Sequence, residues 1–299
     1  MYVVTGASGH TGSVVAKRLL AQGKKVRVVG RSTERLSSLA SLGAEPSAAD
    51  ITNKEALTVA FTGAHAAYVM IPPDLANPDY RAYQDKAIEA IASALDRHAP
   101  SHIVALSSFG ADKPDKTGPI AGLHRMEERL KQISGLNALY LRAGYFMENT
   151  LAQAAAIQQM GAAAGPLNAA LKLPLIATRD IGAVAADELL RLEFRGHQTQ
   201  ELLGQRDLTM AEVTAVIGKA IGKPELEYRQ ITDGQFRQVL MQMGASQSIA
   251  DLFVEMSQAL NSGHVRALEA RSQRNTTPTS FEQFVADEFV LAYRASSTR

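Results

Sequence analysis

The sequence predicts an α/β fold: a doubly wound parallel sheet followed by a smaller, mostly helical C-terminal lobe. Two observations carry this. Up to Arg142, short apolar runs alternate with segments of helical period across short links, the pattern of strands joined by crossover helices. Beyond Arg142 the rhythm changes, and glycine and alanine break up the chain as far as residue 170. A parallel sheet covered on both faces, with right-handed crossovers, binds ligands at the carboxyl ends of its strands.

Tyr2 to Val4 reads as the first strand and Ser13 to Leu20 as a helix with apolar residues at helical intervals. Lys25 to Arg31 is a second strand, Glu34 to Leu42 a second helix, and Gly43 to Asp50 a short third strand ending on an acid. Asn53 to Phe61 is helical, and Ala66 to Ile71 forms a fourth strand stopped by Pro72-Pro73. A longer helix, Tyr80 to His98, precedes strand five, His102 to Leu106; a helix over Ala121 to Ser134 leads to strand six, Asn137 to Leu141. In the second half, Leu173 to Ala177 suits a strand and Asp180 to Leu192 a helix. Thr209 is an N-cap for the next helix, Asp233 to Ser262 is helical with a break at Gly244, and Ser280 to Tyr293 is a last amphipathic helix. The expected division is residues 1–150 as a nucleotide-binding domain and 151–299 as a smaller closing lobe, with later segments returning to the first.

Composition narrows the function classes. The 299 residues are 46% hydrophobic and 20% charged with net charge +1, as in an ordinary globular protein, and nothing points to a nucleic acid or other polyanion. No cysteine is present, which excludes disulfides, thiol catalysis and thiolate metal sites and fits a cytoplasmic location. The tract from Ala152 to Ala177 is broken by Gln153, Gln158, Gln159, Gly161, Gly165, Pro166, Asn168 and Lys172, so it lacks the roughly 20 apolar residues of a membrane span. His65, His98, His102, His197 and His264 are scattered without metal-ligand spacing. Glu127 and Glu128 beside Arg125 and Arg129 read as a solvated helix face, and Glu188 and Glu193 do not suggest a carboxylate pair.

The first dozen residues organise the chain. Thr5-Gly6-Ala7-Ser8-Gly9-His10-Thr11-Gly12 joins strand to helix, and such a turn can seat a pyrophosphate. Its glycines let backbone and ligand approach, and the helix adds free N–H groups and the positive end of its dipole. Thr5, Gly6, Ser8, Gly9, His10, Thr11 and Gly12 are therefore candidate cofactor ligands in a Rossmann-type domain. Strand two ends on Gly30-Arg31-Ser32 rather than on the acid that would hold an adenosine 2′-hydroxyl. A guanidinium suits a 2′-phosphate, with Arg35 one turn on, so the expected cofactor is NADP(H); as solvated charges the two arginines need no such role. Asp50 and Ile51 fall where an adenine would lie, and Asp50 serves equally as a helix cap. Met70, Ile71 and Pro72 end strand four beside the pyrophosphate, where Met70 and Ile71 also fit a core.

Thr5-Gly-x-x-Gly-x-x-Gly12 resembles the turn of extended short-chain dehydrogenase/reductases. Leu106-Ser107-Ser108-Phe109-Gly110-Ala111-Asp112, Glu127-x-x-Leu130, and Leu141-Arg142-Ala143-Gly144-Tyr145-Phe146-Met147-Glu148-Asn149 resemble the NmrA-like, atypical branch. Asp180-Ile181-Gly182 and Pro278-Thr279-Ser280-Phe281-Glu282-Gln283-Phe284 extend the likeness over nearly the whole chain. The resemblance implies an NADPH-dependent quinone or triphenylmethane-dye reductase, or else an NADP(H)-binding regulator without turnover that acts through a protein partner. Nucleotide-sugar isomerisation is disfavoured. Ordinary members of the superfamily use a Tyr-x-x-x-Lys dyad, and in extended members a glutamate lies four residues after that lysine. With Glu127 as that glutamate, Leu123 stands at the lysine position and Pro119 at the tyrosine position, and neither does acid–base work.

The remaining candidates are Ser107 and His124 as catalytic groups, the imidazole being able to change charge near neutral pH, although a strand-end cap and a packing residue explain them too. Ser107, Gly144 and Tyr145 are also expected beside the nicotinamide. Ser108, Phe109, Tyr145, Phe146 and Asn149 are expected around the acceptor, with the aromatic pair either stacking on it or packing between lobes. The acceptor that the resemblance implies is a small quinone-like or dye-like molecule, which would need little acid catalysis because it already draws hydride and solvent can supply the proton. The expected state is a monomer or homodimer.

Overall fold

The protein, described over residues 1–296 in a computed structural model, builds twelve strands and twelve α-helices. In chain order the first half runs β1 (Tyr2–Val4), α1 (His10–Ala21), β2 (Val26–Gly30), α2 (Ser37–Ala40), β3 (Glu45–Ala48), α3 (Lys54–Ala60), β4 (Ala66–Val69), α4 (Tyr80–His98), β5 (His102–Ser108), α5 (Ile120–Leu130) and β6 (Asn137–Ala143). The second half runs β7 (Tyr145–Phe146), α6 (Gln153–Met160), β8 (Ala163–Gly165), β9 (Lys172–Ile176), α7 (Thr178–Arg191), β10 (His197–Leu202) and β11 (Asp207–Thr209). It continues through α8 (Met210–Ala220), β12 (Tyr228–Gln230), α9 (Asp233–Gln242), α10 (Gln247–Asn261), α11 (Phe281–Phe284) and α12 (Val290–Ser296).

Seven parallel strands form the main sheet in the order β10-β6-β5-β4-β1-β2-β3. The order reverses at β1, so the crevice above its carboxyl end is the place for a ligand. Side-chain alternation assigns the faces. Val3 joins the core under α3, α4 and α5, with Phe61, Ile91, Leu95 and Tyr140. Tyr2 and Val4 join the opposite core under α1 and α7, with Leu19, Tyr68, Ile181 and Leu189. All three residues of β1 are buried, as expected of a central parallel strand. A third core, including Met147, Leu175, Ile217, Phe281, Phe284 and Phe289, holds the second lobe around the β11-β9-β7 sheet and the β12–β8 pair.

The chain returns from the second lobe to the first. α7 packs on α1, and β10 adds the seventh strand beside β6. β10 begins with the exposed residues His197, Gln198 and Thr199, so its sequence lacks the apolar run that marks the other strands. The helix expected over Glu34 to Leu42 is shorter: a 3-10 turn at Glu34–Leu36 leads into α2. The C-terminal helix contains a π turn, Val285–Phe289, between α11 and α12. Among the described residues, no helix is long and apolar enough to cross a membrane, and no cluster of three His, Asp or Glu side chains is placed to hold a metal ion.

Candidate functional site

The glycine turn is shaped by contacts that only small residues permit. Gly6 has φ of 60°, and a Cβ there would lie 2.4 Å from the Met70 sulfur. A Cβ at Gly12 would lie 2.5 Å from the Gly6 carbonyl oxygen, so α1 starts directly beneath the turn. Thr5 ties the two central strand ends: its hydroxyl accepts from the Met70 N–H at 2.9 Å. The buried Tyr68 hydroxyl donates to Thr11 Oγ1 at 2.9 Å and so anchors the helix start to β4. The N-cap of α1 is Gly9, with no side chain folded back onto the first turn. By contrast, Asn53, Asp79 and Ser246 cap α3, α4 and α10. The first-turn N–H groups of α1 are thus left for a ligand anion.

A cleft of about 540 Å³ opens over this turn. Gly6, Ser8, Gly9, His10 and Thr11 line it at the turn, Arg31 and Arg35 at the end of β2, Asp50 and Ile51 after β3, and Met70 and Pro72 after β4. Among the described residues, neither Arg31 nor Arg35 makes a hydrogen bond or an ion pair. Asp50 Oδ1 accepts from the Thr52 N–H at 2.8 Å and its hydroxyl at 2.6 Å, while the cap of α3 falls to Asn53, so Asp50 is not that helix's cap. An uncapped helix start, a backbone cradle a Cβ would fill and two unpartnered guanidiniums fit a dinucleotide bearing an extra phosphate. Thr5, Gly12 and Ile71 shape the cleft from behind without lining it.

At its inner end the cleft meets Leu106, Phe146, Glu148, Asn149 and Thr178. Glu148 and Asn149 also line a second cavity of about 600 Å³, so the two spaces share a wall. The second cavity is walled mainly by apolar and aromatic side chains, among them Met210, Tyr228, Phe236, Phe253 and Met256, interspersed with neutral polar ones such as Gln153, Gln235 and Gln238. Tyr145 faces it, and burial pushes the phenol, already neutral at pH 7, up to about 12. Glu148 Oε1 accepts from the Thr178 N–H at 2.9 Å and its hydroxyl at 2.6 Å, capping α7, while Oε2 is buried without a partner.

The structure disposes of several other candidates differently. Ser107 is buried, and its hydroxyl donates to Glu127 Oε1 at 2.6 Å. Glu127 is 1% exposed, so the solvated helix face expected there is corrected at this position. Arg142 sits beside Ser107 in the register of β5 and β6 and donates to Glu127 from Nε at 3.0 Å and Nη2 at 2.6 Å. Burial lowers the Arg142 pKa, but the hydrogen bond and charge of Glu127 outweigh it and hold the guanidinium protonated. His124 turns Nδ1 to the Ala111 carbonyl at 2.9 Å. Neither Ser107 nor His124 lines either cavity: one hydroxyl serves a buried ion pair, one imidazole the turn after β5. Ser108, expected at the acceptor, donates to the Phe109 carbonyl, and Phe109 is a core residue of the second lobe; neither lines a cavity. Gly144, expected at the cofactor, is buried where a Cβ would meet the Pro174 carbonyl at 2.5 Å and lines neither cavity, and Tyr145 lines the second cavity rather than the cleft. Phe146 and Asn149 line the inner end of the cleft.

Glu148 and Thr178 were not marked by the sequence reading, and neither was the wall formed by α8, α9 and α10. Those residues come from distant segments, and no local spacing links them.

The chain is 30% identical over 262 residues to the NAD(P)H azoreductase of Xenophilus azovorans, covering 86% of each chain. It is 30% identical over 241 residues to the (4-alkanoyl-5-oxo-2,5-dihydrofuran-3-yl)methyl phosphate reductase of Streptomyces griseus subsp. griseus, covering 81% of this chain and 80% of the other. Among solved structures, an NADPH-dependent quinone oxidoreductase from Escherichia coli matches with a TM-score of 0.79 at 22% identity, over 97% of this chain and all of the other. The NmrA-like family model matches residues 2–285, and the chain belongs to the NmrA-like family.

Proposed function

We propose that this protein is an NADPH-dependent reductase of quinones or similar conjugated acceptors such as dyes. The observation that carries this reading is the shared wall at Glu148 and Asn149, where a phosphate-binding cleft meets an apolar, aromatic cavity. Bound in the cleft, NADPH supplies a hydride, and one proton from solvent completes the two-electron reduction to the hydroquinone.

The chain's own residues bind and orient. Arg31 and Arg35, which line the cleft, would hold the extra phosphate, and the uncapped start of α1 the pyrophosphate. Leu106 and Phe146 back the inner end of the cleft, and the second lobe keeps water from the acceptor. Tyr145, whose proton burial holds more firmly, donates a hydrogen bond to an acceptor oxygen rather than giving up its proton. The resemblance leaves Pro119 and Leu123 at the usual dyad positions, so acceleration comes mainly from juxtaposition.

The test is loss of NADPH absorbance with menadione and a panel of quinones, azo dyes and carbonyls. Turnover with quinones that survives His124→Ala supports the reading. NADPH binding without oxidation across the panel overturns it. That outcome would favour a regulator working through a protein partner, a reading consistent with the lack, among the described residues, of any His, Lys or Asp on the second cavity's wall.

A further inference from the structure

We propose that the acceptor cavity sorts its ligands by charge, taking uncharged or cationic aromatic acceptors and rejecting anionic ones. The inference rests on reading the second cavity as the acceptor site. The sequence holds 31 Lys and Arg residues, yet among the described residues none lies on this wall. Among the described residues the only wall residue with a formal charge is Glu148, and its Oε2 has no hydrogen-bond partner. Arg237, on the helix that forms one side, is ion-paired with Asp251.

The energetics follow from this inventory. A sulfonate, carboxylate or phosphate entering the cavity gives up water and finds no cation to replace it. It also meets the field of the Glu148 carboxylate in a poorly screened space. An uncharged ring system suffers neither cost. A delocalised cation gains from Glu148 and from the faces of Phe236, Tyr228 and Phe253.

The mouth continues the same chemistry. Met160, Val239 and Met243 belong to the wall and remain 57%, 43% and 68% exposed. α9 contains no buried residue, although Phe236, Val239 and Leu240 line the cavity. A substituent reaching out of the cavity therefore passes a rim that mixes these apolar side chains with the neutral amides of Gln235, Gln238 and Gln242, again without a cation.

The experiment measures equilibrium dialysis of three anthraquinones, bearing a hydroxymethyl, a sulfonate or a trimethylammoniomethyl group at one ring position. The protein is loaded with NADP⁺ so that no turnover occurs, and initial rates with NADPH are measured in parallel. The expected result is that the sulfonate binds about tenfold or more weakly than the neutral congener, with the cation at least as tight as the neutral one. Val239→Lys should narrow the gap between sulfonate and neutral congener by about threefold or more. Glu148→Gln should remove any advantage of the cation. Equal affinity for all three congeners, with quinone turnover intact, overturns the charge rule and leaves the reductase reading standing. Binding of none of them, with no turnover on any quinone, overturns both.

Discussion

Glu127→Gln is the substitution whose cost the structure fixes most firmly. The carboxylate is 1% exposed and accepts three hydrogen bonds, one from Ser107 and two from Arg142, whose side chain is 13% exposed. The amide keeps one acceptor oxygen but removes the charge and sets an N–H₂ against a donor. Arg142 is then left as a nearly buried cation without its counter-ion. Breaking a buried pair from one side costs roughly 3–5 kcal/mol, and the retained oxygen argues for the low end, about 3 kcal/mol. Against a total stability of roughly 5–15 kcal/mol this is a large fraction. In urea, with a slope of about 3 kcal/mol per molar, the midpoint should fall by about 1 M at unchanged slope. Adding Arg142→Met should recover part of the loss, because the orphaned charge disappears with it. A loss below about 1 kcal/mol, or a double variant as unstable as the sum of the two single ones, refutes the claim that the pair is buried and mutually dependent.

Arg31→Ala should weaken NADPH binding by about ten- to a hundredfold while leaving NADH affinity nearly unchanged; an equal effect on both cofactors, read by nucleotide fluorescence, argues against a 2′-phosphate contact. Gly12→Ala drives a methyl against the Gly6 carbonyl at 2.5 Å, so it should cost roughly 1–3 kcal/mol in a thermal melt and weaken NADPH binding, because backbone rather than a flexible side chain must move. His102 is 7% exposed, and its Nε2 faces Arg195 Nη1 at 2.7 Å. Burial, then the Arg195 charge, lowers its pKa from 6.5, so it contributes stability that is present above about pH 6.5 and lost as pH falls through its lowered folded value. His102→Gln should flatten that part of the melting-temperature profile, and a profile as steep as in the unsubstituted protein counts against it.

The fold was readable wherever one residue's burial had a local cause. Val3 and its neighbours Tyr2 and Val4 announce a doubly buried strand, and the pairing of β1 with β2 and β4 follows from the crossover rule. β10 escaped because an edge strand needs little apolar patterning: its first three residues are exposed, and its place beside β6 is decided by α7 packing on α1. Glu127 was misread for a related reason. Its neighbours Arg125 and Arg129 do reach outward, to Asp85 and Glu89 on α4, and Glu128 pairs with Lys131. Only the helical phase of α5 against β5 and β6 separates Glu127 from them, and that phase is a tertiary fact.

The same contrast divides the two halves of the candidate site. The phosphate end is encoded in consecutive residues, because a turn, a helix start and a strand end are local objects. The residues that line the cleft there, from Gly6 to Thr11 and from Arg31 to Asp50, lie close to the glycine motif or to the next strand ends. The acceptor end has no such code. Its wall is assembled from β7, α6, α8, β12, α9 and α10, each contributing one or a few side chains whose shared orientation exists only in the folded chain. A cofactor site can therefore be read from a motif, whereas the choice of acceptor depends on what the second lobe places opposite it. Among the described residues that wall carries no cation, and no short stretch of sequence could display such an absence.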